Sequence, residues 1–332
     1  MNTIEENVIN AGIELKGKLK SHSRYLSWEY CYKKFQDVYQ NNIEINAKVL
    51  DDLSLNLGFY LASWGMYRGS TFLLNYDYKI HTPVIENVLF NNKYKELWTY
   101  NTFENLNKKT DKDIEEYKKL MLDIKKDIID KYNTTIGKNE DVEDVEDVEA
   151  TDTLVTKILL GTIGCIPAYD RYVKSALKRL QAPSQTLNKK SIKWLVDFCR
   201  NSNIFKYKNS VEYPPMKILD MCLWEYGEQL QRTIIVYQLE KNIIDEIESI
   251  LENFGLKETV LIDDLENHLY NEKDINNIKT QECFMQIKGM ENGKYQIKYR
   301  ENNILNKDRE EYKTFDEVKT ILKKQLKKKG NK

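Results

Sequence analysis

The chain has few cysteines, and their spacing argues against a zinc site or a disulfide framework. The five cysteines are odd in number and include no CxxC pair: Cys31, Cys165, Cys199, Cys222 and Cys283. Such usage is typical of a protein in a reducing compartment. His81 has no second histidine or cysteine nearby, so the sequence predicts no metal site and no cofactor.

Long hydrophobic runs are also absent. No run approaches about 18 apolar residues, and residues 1–18 contain no apolar core of signal-peptide length. The motifs GxSxG, GxxxxGK[ST], GxGxxG and HExxH are missing, so serine-hydrolase, P-loop, Rossmann and zinc-protease chemistry have no support. We therefore expect a soluble, cytoplasmic protein that does not associate with a membrane.

The chain has little net charge, only −1, so binding to nucleic acid would need a local basic patch. Its apolar content of 41 % and aromatic content of 11 % are typical of a folded protein. The apolar spacing predicts a mainly α fold, with a helical domain over residues 1–238 and a small α+β domain over residues 240–332. The second domain is predicted to hold helices at 243–254, 261–270 and 314–329 and hairpin strands at 283–288 and 294–300.

Residues 153–180, TLVTKILLGTIGCIPAYDRYVKSALKRL, contain the most informative pattern. An apolar helix leads into a break at residues 164–167, GCIP, and a second helix is predicted to start near Asp170. The carboxylate of Asp170 would either cap backbone N–H groups or project into a site at that helix end.

This order of features resembles the core of the helix-hairpin-helix DNA glycosylase superfamily, where an apolar-Pro-x-x-Asp segment places the catalytic aspartate at the start of a helix. Downstream, residues 213–217, YPPMK, and the apolar residues up to Trp224 are similar to that family's aromatic-Pro-x-Arg/Lys motif and its last helix. The resemblance covers roughly residues 50–230. It implies a helical glycosylase-like bundle in which Asp170 stabilises an oxocarbenium-like sugar or activates water.

One family feature is missing. The apolar-Pro-Gly-x-Gly hairpin should lie near residues 145–153, but this chain has the repeat DVEDVEDVE there and no glycine. Dense like charges predict an acidic loop over residues 139–152. The lysine that marks lyase-competent family members cannot be assigned either, which favours a monofunctional glycosylase.

Asp51–Leu74 is predicted as a mostly buried helix, although it contains Gly58, Gly65 and Gly69. Such glycines permit either tight helix packing or the approach of a flat ligand, and the resemblance implies a base pocket. The cluster at residues 24–28, RYLSW, either stacks on bases or forms a helix–helix seam. The residues predicted to bind substrate are Tyr60, Trp64, Tyr67, Arg68, Tyr169, Tyr172 and Lys217.

Residues 157–210 carry eleven basic residues against two aspartates, which is the local patch that phosphate contacts require. The predicted nucleic-acid contacts are Arg171, Lys174, Lys178, Lys189 and Lys190. The leading hypothesis is a glycosylase that flips a damaged or modified base out of double-stranded DNA, in DNA repair or phage defence. The alternatives are a non-catalytic nucleic-acid-binding or regulatory protein, with Asp170 only as a cap, and a protein that binds a protein partner through the acidic repeat.

Overall fold

The computed structural model describes residues 8–12, 23, 25–69, 71–137, 150–202, 204, 213–230, 234–237, 239–253, 260–262, 285–290, 293–301, 304–305 and 311–330. Over these residues the chain is mainly α-helical, as the sequence predicts. It forms two compact units, Met1–Tyr226 and Gly227–Lys332. Within the described residues, no helix is long and apolar enough to cross a membrane.

The first unit is built mainly from α-helices. Its described helices include α1 Leu26–Gln40, α2 Ala47–Ser63, α3 Thr82–Val84, α4 Phe103–Lys108, α5 Asp111–Ile136, α6 Asp152–Thr162, α7 Arg171–Arg179, α8 Lys189–Asn201 and, as far as Tyr226, α9 Pro215–Leu230. Between them lie the 3₁₀ turns Phe72–Asn75, Tyr78–His81 and Asn92–Tyr100 and the π-helical segment Ile85–Leu89. The acidic repeat at residues 141–149 lies outside the described residues.

Side-chain caps explain why several of these helices begin where they do. The first backbone N–H groups of a helix have no partner within the helix, and a preceding Asn, Asp or Thr can accept from them. Asn46 caps α2, Thr110 caps α5, Thr151 caps α6, Asp170 caps α7 and Asn188 caps α8. The predicted helix start at Asp170 is therefore confirmed.

Helix α6 lies at the centre of the first unit, and α1 and α2 pack against it. Trp28 of α1 donates from Nε1 to the carbonyl oxygen of Leu160 at 2.8 Å. On α2, the ring of Tyr60 lies against Gly161, where an added Cβ would be 2.4 Å from the ring. Gly161 is therefore needed for the close approach of α2 to α6.

The predicted helix over residues 51–74 is wrong beyond Ser63. Helix α2 ends there, Trp64 follows as its C-cap, and Gly65 and Gly69 have φ values of +73° and +68°. Left-handed backbone at glycine ends a helix, because residues with a side chain rarely adopt it. The glycines thus shape the turn that carries Trp64 and Tyr67.

In its described residues, the second unit contains a mixed β-sheet and two helices. Its elements are β1 Ile234–Tyr237, α10 Lys241–Glu252, β2 Val260–Ile262, β3 Met285–Gly289, β4 Tyr295–Glu301, β5 Ile304–Leu305, β6 Glu311–Lys313 and α11 Phe315–Gly330. The strand order is β2-β1-β3-β4-β5, with β6 also paired to β4. β1 pairs in parallel with β2 and β3, and the other pairs are antiparallel.

The predicted hairpin is confirmed, since β3 and β4 pair in antiparallel register around Gly293, which has a φ of +71°. The helices predicted at 243–254 and 314–329 are confirmed as α10 and α11. The helix predicted at 261–270 is wrong at its start, because Val260–Ile262 is a strand that pairs with β1, and residues 263–270 lie outside the described residues. A short apolar segment can form either a helix or a strand, and pairing with β1 makes Val260–Ile262 a strand.

Candidate functional site

Asp170 is held at the N-terminus of α7 by both neighbouring segments. Its Oδ1 accepts hydrogen bonds from the backbone N–H groups of Tyr172 at 3.0 Å and Val173 at 3.1 Å. Just before it, the backbone N–H of Tyr169 donates to Thr156 and the carbonyl of Tyr169 accepts from Thr153, both on α6. The carboxylate is therefore fixed relative to α6 as well as to α7.

The second oxygen of Asp170 faces a buried lysine. Nζ of Lys157 on α6 lies 3.8 Å from Oδ2 of Asp170, and the two side chains are only 6 % and 15 % exposed. The same Nζ lies 3.5 Å from the carbonyl oxygen of Trp64 and 5.3 Å from the centre of a Trp64 ring. Lys157 thus joins the candidate catalytic carboxylate to the turn after α2.

Burial raises the pKa of the Asp170 carboxyl above its usual value, and the negative charge of Asp220 adds to this rise. The ammonium of Lys157 and the N–H groups of Val173 and Tyr172 lower the pKa in opposition. Burial disfavours a charge, whereas a nearby opposite charge favours it. The ionised carboxylate is therefore only partly compensated by its surroundings.

An aromatic pocket lies next to this carboxylate. Its wall is formed by Tyr25, Trp28, Trp64, Tyr213, Lys217, Asp220, Met221 and Trp224. The cavity has a volume of about 20 Å³, which is enough for a single water molecule but far too small for a nucleobase. The rings contact one another edge to face, for example Trp64 with Trp224 at 6.0 Å between centroids.

A second buried ion pair belongs to the pocket wall. Nζ of Lys217 lies 2.8 Å from Oδ2 of Asp220, and both side chains are less than a tenth exposed. Oδ1 of Asp220 accepts from the backbone N–H of Ala168 at 2.9 Å. Because Ala168 lies two residues before Asp170, Asp220 links the pocket to the segment that carries the candidate catalytic residue.

Asp170 does not itself line the pocket, but contacts connect the two on several sides. Lys157 touches both Asp170 and Trp64, and Asp220 holds the loop at Ala168. The ring of Tyr172 packs edge to face on Trp224 at 5.2 Å. The carboxylate and the aromatic wall therefore form one packed cluster.

The other predicted substrate-binding residues are spread more widely. Tyr60 is buried between α2 and α6, and Tyr169 is fully buried beside α6. Tyr67 donates to or accepts from Nε2 of His81 at 2.8 Å, and its ring is not part of the pocket wall. Arg68 is exposed. Of the predicted set, the structure brings only Trp64 and Lys217 into the pocket wall, with Tyr172 adjacent.

The predicted nucleic-acid contacts lie at the starts of two helices and along α7. Arg171, Lys189 and Lys190 are exposed, and Lys174 is half-buried. The ammonium of Lys178 is buried, so it is not presented at the surface. Arg200, another cation of residues 157–210, donates hydrogen bonds to the carbonyl oxygens of Leu106 and Lys109 within the fold.

Sequence reasoning missed the roles of Lys157 and Asp220. In the sequence, Lys157 is only one cation of the basic stretch, and Asp220 falls in the middle of an apolar helix, α9. Both are charged residues within otherwise apolar helical segments, and charged side chains are buried only when they are paired. That signal could have indicated two buried ion pairs, though not which residues they contact.

Within the described residues, no group of three or more His, Cys, Asp or Glu side chains is placed to hold a metal ion. No protein-family model, no curated protein and no solved structure matches this chain. The resemblance to the helix-hairpin-helix glycosylases therefore stays a prediction, and a function has to be inferred from the geometry of the site.

Proposed function

We propose that the first unit is a glycosylase-like enzyme that takes a flipped nucleobase and hydrolyses its N-glycosidic bond. The observation that carries the proposal is the placement of Asp170, a sheltered carboxylate fixed at a helix start beside a wall of aromatic rings. A carboxylate in such a setting can stabilise a positively charged sugar far better than one in water.

The chemistry assigned to Asp170 follows from its two oxygens. Oδ1 is held by the α7 N–H groups, and Oδ2, which lies 3.8 Å from Nζ of Lys157, is the oxygen that we assign to the reacting sugar or the attacking water. Because burial raises its pKa, the ionised carboxylate gains stability when positive charge develops nearby. That gain is larger in the transition state than in the ground state, which is the requirement for catalysis.

The aromatic wall is the proposed base-binding surface. Indole and phenol rings stack on any base, and enzymes that act on a base inside a duplex must extrude it into a pocket. At about 20 Å³ the pocket must open before a base can enter. Tyr25, Trp64 and Tyr213 are only half-buried, and we expect their side chains to move.

The phosphate contacts are assigned to Arg171, Lys174, Lys189 and Lys190. Three of these residues, Arg171 on α7 and the two lysines on α8, are exposed and lie in the first turn of their helix, so their cationic side chains are available to a phosphate. Lys178 is left out of this set, because its ammonium is buried.

The test is abasic-site formation on duplexes that carry unmodified, alkylated, deaminated, hydroxymethylated or glucosylated bases. We expect one class of duplex to release its base with the wild-type protein and not with Asp170→Asn. Asp152→Asn is the matched control, because Asp152 is also 15 % exposed and paired with a lysine, Lys125, but is absent from the pocket cluster. The reactive duplex would also indicate whether the role lies in repair or in phage defence.

A second candidate is a nucleic-acid-binding protein without catalysis. The small pocket and the capping role of Asp170 favour it, because the aromatic rings already pack on one another and the cap is complete without a ligand. Salt-sensitive binding that is unchanged in Asp170→Asn, with no base release from any duplex, would support this candidate and overturn the enzyme.

A further inference from the structure

The aromatic pocket already contains a positive charge from the chain itself. Nζ of Lys217 lies 4.9 Å from the ring centre of Trp28 and 5.8 Å from that of Trp64. Asp220 pairs with it at 2.8 Å. Aromatic rings with a carboxylate are the arrangement that proteins use to bind cationic groups, and in this pocket Lys217 takes that place.

A second ammonium lies close to the same indole. Nζ of Lys157 is 5.3 Å from a Trp64 ring and is paired with Asp170. Asp170 and Asp220, the two carboxylates of the cluster, therefore each have a lysine. A positively charged ring stacked on Trp64 would lie near two ammonium groups, and both of these carboxylates would already be paired.

The hydrogen-bonding capacity of the pocket also favours an uncharged ligand over a positively charged one. An ammonium has three N–H donors and no acceptor, and Asp220 takes one of the donors of Lys217. Asp220 in turn receives Lys217 on Oδ2 and the Ala168 N–H on Oδ1. Lys217 can therefore offer donors to a ligand, and a ligand that suits it must carry acceptors such as carbonyl oxygens or ring nitrogens.

We propose that Lys217 is a charge filter, which makes the aromatic pocket select an uncharged, acceptor-bearing ring and reject a positively charged one. This specificity rests on the pocket of the proposed function and narrows its substrates to neutral modified bases. N-alkylated bases with a cationic ring are excluded by repulsion from Lys217.

The experiment measures binding of two nucleosides by quenching of tryptophan fluorescence, without any need for turnover. Inosine has a neutral ring with a carbonyl acceptor, and 1-methyladenosine has a positively charged ring of similar size. We expect wild-type protein to bind inosine at least about tenfold more tightly, and Lys217→Met to reverse this preference, because the rings and Asp220 then form an unoccupied cation site. Lys125→Met is the control and should keep the wild-type preference.

Asp220→Asn provides a second variant in case Lys217→Met does not fold. It keeps the ammonium and removes its carboxylate, so rejection of 1-methyladenosine should become stronger. Equal or tighter binding of 1-methyladenosine by the wild type, or no binding of either nucleoside, would overturn the charge filter. If base release depends on Asp170 but inosine is not preferred, the proposed glycosylase function is supported and the charge filter is overturned. If inosine is preferred but no duplex releases its base, the charge filter is supported and the glycosylase function is overturned.

Discussion

At the scale of single residues, the informative feature is that Asp170 has two distinct environments. One oxygen is saturated by the N-terminus of α7, and the other faces Lys157 at 3.8 Å. The cap fixes the side chain, and the lysine favours its ionised form. The two interpretations of Asp170 offered by the sequence, a cap and a functional carboxylate, are therefore compatible in one residue.

The first prediction concerns Lys157→Met. Removing the ammonium removes the interaction that lowers the pKa of Asp170, so burial and Asp220 should raise it further. The acid limb of the base-release profile should then move to higher pH, and the rate on that limb should fall about tenfold for each pH unit that the limb moves. Lys125→Met, which breaks a comparable Lys–Asp pair, should leave the limb in place. An equal loss of rate at every pH would show that Lys157 acts only in folding.

The second prediction concerns His81, which is fully buried between Tyr67 and Tyr132. Its Nδ1 lies 2.6 Å from the Tyr132 hydroxyl, and desolvation by burial lowers its pKa to about 3. The unfolded chain binds a proton near pH 6.5, so the stability from neutral His81 is complete above that pH and declines as the pH falls toward 3. At pH 5 the loss should be about 2 kcal/mol of unfolding free energy.

Urea unfolding at pH 7 and pH 5 checks this, with His81→Gln as the comparison. The glutamine cannot titrate, so its free energy of unfolding should change less between the two pH values than that of the wild type. Parallel pH dependence in the two proteins would contradict the assignment to His81.

At the scale of elements, the position of α6 depends on a single glycine. Gly161 lets the Tyr60 ring reach the α6 backbone, and α6 presents both Lys157 to Asp170 and Thr156 to the residue before it. A shift of α6 relative to α2 would therefore be transmitted to the candidate site. Helix packing and site geometry are coupled at this crossing.

The third prediction follows from that crossing. Gly161→Ala would place a Cβ 2.4 Å from the ring of buried Tyr60, and overpacking of this kind costs roughly 1–3 kcal/mol. Gly137→Ala is the matched control, because its Cβ would meet only the Asn133 carbonyl at 3.3 Å and its φ of −68° suits alanine. Thermal denaturation should show a clearly lower Tm for the first variant than for the second. Equal Tm values would mean that α2 and α6 can separate at no cost.

At the scale of the whole molecule, the charge is nearly balanced, so any attraction to nucleic acid must be local. Fewer cations of residues 157–210 are available at the surface than the sequence indicates, because the charged groups of Lys157, Lys178 and Arg200 are turned inward. The exposed remainder includes Lys189 and Lys190 at the start of α8.

The fourth prediction tests this surface with the double variant Lys189→Glu and Lys190→Glu. DNA affinity should fall about tenfold or more at low salt, and the slope of log K against log salt should become shallower by about one for each phosphate that is no longer neutralised. Lys33→Glu with Lys34→Glu is the control, because these adjacent exposed lysines are already paired with Glu29 and Asp52. Similar losses in both variants would indicate general charge repulsion instead of a specific surface.

Local patterns in the sequence determined a large part of this molecule. Apolar spacing predicted α6 and α7, Gly164 and Pro167 predicted the break between them, and Asp170 was recognised as the residue at the helix start. The hairpin around Gly293 was found in the same way. These features depend on a few neighbouring residues, for which backbone sterics and capping decide the outcome.

Tertiary structure alone decided which distant side chains meet. Tyr67 follows the helical spacing of residues 53–68, yet the left-handed glycine at 65 ends the helix and Tyr67 pairs with His81 instead of lining the pocket. Lys157 meets Asp170, and Asp220 meets Ala168, across α6, the following loop and α9. The energy of a buried charge depends on partners brought in by packing, and no local pattern of residues specifies that packing.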